Sequence, residues 1–92
     1  MKKPEYVFHL YVAGASPNST RAIANLQEIC QIHLEGRYRL EVIDVYQQTE
    51  RAKLESLVAL PLLVKRLPLP ERKFVGDLSD RSKVLKGLGL TA

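Results

Sequence analysis

The stretch from Glu5 to Ala13 presents apolar side chains to both sides of an extended chain. Tyr6, Phe8, Leu10 and Val12 alternate with Val7, His9, Tyr11 and Ala13. A strand of this kind needs cover on two faces, so it belongs at the centre of a sheet with layers on either side. The turn that follows is equally specific. Gly14 and Ala15 reverse the chain, Ser16 suits a helix cap, and Pro17 fits the first helical position. A helix is predicted from Pro17 to about Glu35. Its inward face carries Ala22, Leu26, Ile29 and His33, with Ile23, Cys30 and Leu34 beside them, and Gly36 ends it. Tyr38 to Val45 alternates as a second strand. The short connections make this unit a right-handed parallel crossover.

The second half gives a weaker pattern. Thr49 to Val58 predicts a helix with Leu54, Leu57 and Val58 inward. Leu60 to Leu67 is an apolar run whose periodicity fits strand or helix equally. Pro68 and Pro70 make a turn, Arg72 to Val75 a short strand, and Gly76 a break. Ser79 is placed to cap a last helix through Val84, Leu85 and Leu88. Gly87 and Gly89 weaken that helix by about 1 kcal/mol each relative to alanine. Strand, helix, strand, helix, strand, strand, helix is the order of an α/β thioredoxin-like fold (βαβαββα). Ala59-Leu60-Pro61 stands at the place of its cis-proline. A length of 92 residues implies one domain, 1–92.

Several kinds of chemistry are missing from this framework. At the junction where a thiol-disulfide oxidoreductase carries Cys-x-x-Cys, the chain has Ser16-Pro17-Asn18-Ser19, and hydroxyls do not exchange disulfides. Cys30 is the single cysteine and reads as a small buried hydrophobe. Ser16 and Ser19 have no base placed beside them, so they read as capping residues rather than nucleophiles. His9 and His33 lack a third ligand, and Gly14 and Gly36 form no phosphate loop, so neither metal nor cofactor is expected. Asp44 reads as a structural hydrogen-bonding carboxylate. The net charge of +4 is scattered, and Tyr6, Phe8, Tyr11 and Phe74 lack an RNA-binding arrangement, so nucleic acid is not the expected partner. No apolar stretch reaches membrane-spanning length, and the basic start runs into a stretch broken by His9, so the chain reads as cytoplasmic. What remains is a binding protein.

Leu10-Tyr11-Val12-Ala13-Gly14, followed by Ser16-Pro17-Asn18-Ser19 and Arg21-Ala22, opens a series of motifs. Val42-Ile43-Asp44-Val45, Leu67-Pro68-Leu69-Pro70, Gly76-Asp77-Leu78-Ser79-Asp80-Arg81, Val84-Leu85 and Gly87-Leu88 continue it in order. Together they resemble the KaiB family over residues 5 to 90. The resemblance implies a non-enzymatic regulator with two folds. One is a resting homo-tetramer or homo-dimer with its second half packed differently (βαββααβ). The other is a thioredoxin-like monomer that binds the ring ATPase KaiC. It also brings in a histidine kinase, displaced by that complex, and KaiA, which the complex sequesters. The positions it implies near the partner interface are Arg21, Arg51, Glu55 and Ser56. Ser16, Pro17, Pro61, Gly87 and Gly89 are the structural or switch positions.

Departures from the family pattern shape the expectation. Arg39 and Glu41 replace a small residue and a lysine on the second strand, Ser56 replaces a lysine, and Gly89 an acidic residue. Leu60 and Leu62 replace the threonines flanking the proline. Like charges across an interface cost several kcal/mol, so the Lys-to-Glu reversal argues against KaiA-type binding as in the clock proteins. The expected role is an adaptor for a KaiC-like ATPase, with circadian and stress settings both open. The alternatives are a divergent thioredoxin-like redox or stress-response protein, which needs a reactive Cys30, and a sensor-like module for a histidine kinase. Gly87→Ala is expected to favour a continuous last helix, and with it the monomer and faster binding.

Overall fold

The computed structural model describes residues 3–57 and 59–90. Strand β1 (Tyr6–Val12) leads into helix α1 (Pro17–His33), and β2 (Tyr38–Asp44) into α2 (Thr49–Leu54). β3 (Leu62–Leu67), β4 (Arg72–Val75) and α3 (Arg81–Gly87) complete the order, which is the predicted βαβαββα. The sheet runs β2-β1-β3-β4. β2 lies parallel to β1, from Tyr6 opposite Tyr38 to Val12 opposite Asp44. β3 is antiparallel to β1 and β4 antiparallel to β3. The doubly apolar strand therefore sits between two neighbours, as its pattern requires.

Its two faces meet unequal cover. Tyr6, Phe8, Leu10 and Val12 enter the main core with Ala22, Leu26, Ile29, Cys30 and Leu34, closed by Val84 and Leu88 at the end of the chain. Burying each large apolar side chain contributes about 1.5–3 kcal/mol. The opposite face holds a small cluster of Tyr11, Ile43, Leu62 and Val64, with Val45, Leu57 and Leu60 partly buried against it. The ambiguous Leu60–Leu67 run is thus a strand from Leu62. Leu63 points into the main core, Leu62 and Val64 into the smaller one. The Leu60–Pro61 peptide is cis, and Pro61 is fully buried, its carbonyl accepting from Gly76 N at 3.0 Å.

Several local expectations change. His33 is exposed and ends α1, while Leu34 turns inward as its backbone N–H bonds to Cys30 O at 2.8 Å. Leu54 is 86% exposed because α2 stops there, and the predicted inward Val58 lies outside the described residues. Ser79 does not cap α3. It lies one residue before the N-cap, with its N–H bonded to Asp77 Oδ1 at 3.0 Å, and Asp80 at the N-cap accepts from Lys83 N through Oδ1 at 3.2 Å.

The two late glycines do different work. Gly89, at φ +74°, lets Leu90 N reach Leu85 O at 2.8 Å and its own N–H reach Lys86 O at 3.1 Å, so it terminates α3. Gly87 is already helical, and a Cβ there would sit 2.4 Å from Phe74 Cε2 and 2.7 Å from Cζ. The sequence expectation for Gly87→Ala therefore reverses in this fold. The gain of about 1 kcal/mol in helix propensity is outweighed by overpacking that costs about 1–3 kcal/mol. Urea denaturation should show Gly87→Ala less stable than the parent, and adding Phe74→Leu should recover the loss. A Gly87→Ala variant more stable than the parent would contradict the Phe74 contact.

Candidate partner-binding site

The C-terminal end of β1 is built around hydroxyls. Ser16 occupies the N-cap position and its carbonyl accepts from Thr20 N at 2.9 Å, yet its side chain caps no helical N–H. Ser16 Oγ bonds to Ser19 Oγ at 2.8 Å, and the buried Ser19 Oγ accepts from Ala13 N at 3.1 Å. The serine pair therefore ties the end of β1 to the first turn of α1, with Pro17 starting the helix as predicted. Tyr46, 73% exposed, lies beside the turn: its ring edge is 3.7 Å from where a Cβ at Gly14 would stand. Asp44 closes the next turn by accepting from Tyr46 N at 2.9 Å, the structural role its position suggested.

On the α2 face, polar side chains surround the small apolar cluster. Arg66 is their hub. It donates to His9 Nδ1 at 3.0 Å, to Tyr11 Oη at 2.9 Å and to Glu55, and pairs with Glu71 at 3.3 Å. Glu55 is almost fully buried and also pairs with Lys73 at 3.1 Å. Burial alone would raise its pKa, but the hydrogen bonds and charges of Arg66 and Lys73 outweigh that and hold it below the ordinary value. Arg51 binds Glu41 through both terminal guanidinium nitrogens, Nη1 and Nη2, which lowers the Glu41 pKa. His9 lies within 3.7 Å of Glu41, yet burial and the nearby Arg66 and Arg51 charges push its pKa down. Beside this network, Val45, Tyr46, Ala52, Ser56 and Leu57 line an open, largely apolar groove of about 470 Å³.

The predicted interface residues divide into two places. Arg51, Glu55 and Ser56 gather around α2, Ser56 at the exposed end of the helix with φ +54°. Arg21 instead pairs with Asp77 at 3.2 Å, tying α1 to the segment before α3. Sequence reasoning missed Arg66, Tyr11, His9 and Lys73 as one network. The available signal was polar residues at alternate positions of apolar strands, His9 in β1 and Arg66 two residues after Val64. Among the described residues, no group of three or more His, Cys, Asp or Glu side chains is gathered to hold a metal ion.

Residues 9–90 match the KaiB domain family. The chain belongs to the KaiB family. It is 49% identical over 85 residues to the circadian clock oscillator protein KaiB of Synechococcus elongatus, covering 92% of this chain and 83% of that one. It is 51% identical over 88 residues to the KaiB of Trichodesmium erythraeum, covering 96% and 85%. The fold is similar to the N-terminal domain of Synechococcus elongatus SasA, with TM-score 0.73, 23% identity and coverage of 99% of this chain and 90% of that chain. It is also similar to chloroplastic thioredoxin z, with TM-score 0.78, 16% identity and coverage of 95% and 78%. The thioredoxin-like expectation and the KaiB resemblance are both borne out.

Within this KaiB-family chain, two observations bear on the redox alternative. Cys30 is wholly buried, and burial pushes its thiol pKa up to about 12, far from a thiolate at neutral pH. It also lies roughly 16 Å along α1 from Ser19, given the helical rise per residue. Among the described residues, no helix is long and apolar enough to cross a membrane.

The charged network predicts two steps of acid destabilisation. A group with a depressed folded pKa stabilises above its unfolded value, and that contribution is lost as pH falls through the folded value. His9 lies below the ordinary 6.5, so stability should first fall as pH drops below about 6.5 and the unfolded chain gains a proton that folded His9 resists. A second fall should follow below about 4.5, as Glu55 and Glu41 protonate. Urea midpoints measured across this range should show both steps, with His9→Gln removing the first and leaving the second. An unchanged midpoint between neutral and mildly acidic pH would contradict the assignment to His9.

Proposed function

We propose that this KaiB-family protein is a non-enzymatic adaptor that binds a KaiC-like ring ATPase in the thioredoxin-like form described above. The observation that supports it best is the surface around α2. Exposed Tyr46 lines an apolar groove on one side of α2, and exposed Leu54 stands beside Arg51 and Glu55, with half-exposed Glu41 paired to Arg51. Aromatic and aliphatic anchors rimmed by charges are what a protein interface needs. The Ser16–Ser19 turn beside it offers no thiol chemistry, and Cys30 is sequestered, which favours binding over oxidoreductase activity.

A resting homo-dimer or homo-tetramer with a differently packed second half is part of the same reading. It is supported by how little apolar surface α2 and α3 bury: α2 has no buried residue among those described, and within α3 only Val84 is buried. Two packings of one chain need differ by only a few kcal/mol. If the competent form is a minor species, apparent affinity falls by its population.

Glu41 also has a local reason to be acidic, since it holds Arg51 and faces His9. A partner surface built for a lysine there meets the opposite charge, so KaiA-type binding is not part of this proposal. A histidine kinase remains a competitor for the same ATPase under the reading that the family resemblance implies.

Size-exclusion chromatography with light scattering, alone and with the candidate ATPase plus ATP, tests the adaptor role. Complex formation is expected, and Leu54→Glu, exposed in this fold, should weaken it by about tenfold or more while leaving thermal stability unchanged. An unaltered affinity would remove α2 from the interface, and absence of any complex would overturn the reading. In a native thiol titration, Cys30 should resist modification; rapid labelling would favour the redox alternative.

A further inference from the structure

The outer side of β4 carries a groove that the reading above does not use. Phe74, Pro70 and Gly87 contribute to its walls, Arg72, Lys83 and Lys86 bring positive charge, and its volume is about 820 Å³. Lys65 stands opposite Arg72 in the β3–β4 register, on the same side of the sheet. Among the described residues, these cations enter none of the ion pairs, whereas Arg21, Arg37, Arg51, Arg66, Lys73 and Arg81 all do. Nearby carboxylates are engaged elsewhere. Glu71, which itself lines the groove, pairs with Arg66, Asp77 pairs with Arg21, and Asp80 caps α3. Lys65 is 4% exposed, and burial together with the Arg72 charge lowers its pKa, as expected where positive charge is uncompensated.

β4 is also an edge strand, bonded to β3 on one side only. A free edge accepts an added strand through its main-chain N–H and C=O groups. Charge selects which strand. Pairing of two copies of β4 would set the Arg72-Lys73 cations of each against those of the other, and like charges facing across strands are destabilising. An acidic strand meets the same side chains with the opposite sign. We propose that the β4–α3 groove binds an extended acidic segment of a partner protein, added along β4 with its carboxylates toward Arg72, Lys83 and Lys86. This surface lies at the sheet edge opposite β2 and includes neither Tyr46 nor Leu54.

The test is a fluorescence-anisotropy titration of the full chain with a labelled peptide of alternating Glu and Val. A Lys-Val peptide, oligo(dT) and phosphatidylserine vesicles serve as comparisons. The Glu-Val peptide should bind best, less tightly as salt screens the cations, and should shift the amide signals of Arg72–Val75 in the wild-type chain. Lys83→Glu combined with Lys86→Glu, both exposed positions, should weaken it by about tenfold or more. Lys3→Glu combined with Arg39→Glu makes the same change in net charge elsewhere and should alter binding by less than about twofold. No binding of the Glu-Val peptide, equal losses in both double variants, or tighter binding of oligo(dT) or vesicles would overturn the proposal. The wild-type amide shifts decide the matter independently should either variant fail to fold.

Discussion

Burial of β1 on both faces is the constraint from which the rest of the molecule follows. With Phe8 and Leu10 wholly inside on one side and Tyr11 nearly so on the other, the strand needs two neighbours and two covering layers. The first layer comes from α1, whose apolar face is long enough to form the main core with α3. The second layer has only short α2 and the segment before β3 to draw on. That imbalance explains why one face closes with hydrocarbon and the other finishes with guanidinium and carboxylate groups.

The polar finish changes what α2 rests on. Glu55 is nearly buried, and a buried carboxylate is tolerable only with its partners in place; removing one from such a pair costs about 3–5 kcal/mol. Arg66 therefore positions the helix through geometry, by meeting Glu55, Tyr11, His9 and Glu71 at once. The apolar residues that α2 does not bury, Leu54 above all, remain at the surface. A weakly packed helix with exposed leucine is a cost for an isolated monomer and an asset for a protein that must present a contact surface.

The first half was legible because hydrophobic periodicity, a Pro at N1 and a Gly stop all agreed from Tyr6 to Gly36. Departures there are confined to ends: the periodicity places His33 and Leu34 both inward, and only Leu34 is buried when the last turn closes. The second half was less legible because its elements are short. Leu62 to Leu67 faces two cores, so its side chains show no simple alternation, and Asp80, one residue after Ser79, supplies the cap of α3 while Asp77 holds the Ser79 N–H. The candidate site was legible only in part. Arg51, Glu55 and Ser56 lie together, but the partners that fix Glu55 come from β1, β3 and β4, and a polar residue such as Arg66 in an apolar strand marks a contact without naming its partner. Helix propensity alone favours alanine at Gly87, whereas Phe74, distant in sequence, decides what that position accepts.

The bond between Ser16 and Ser19 carries a consequence for how this surface behaves in a living cell. In a thioredoxin-like protein with cysteines at these places, the first turn of the helix answers to the thiol pool, opening or closing as electrons are gained or lost. Here two hydroxyls and the Ala13 amide make the same junction without any electron-accepting state. The shape presented next to Tyr46 is therefore fixed by the fold alone and stays the same through swings in cellular reduction potential.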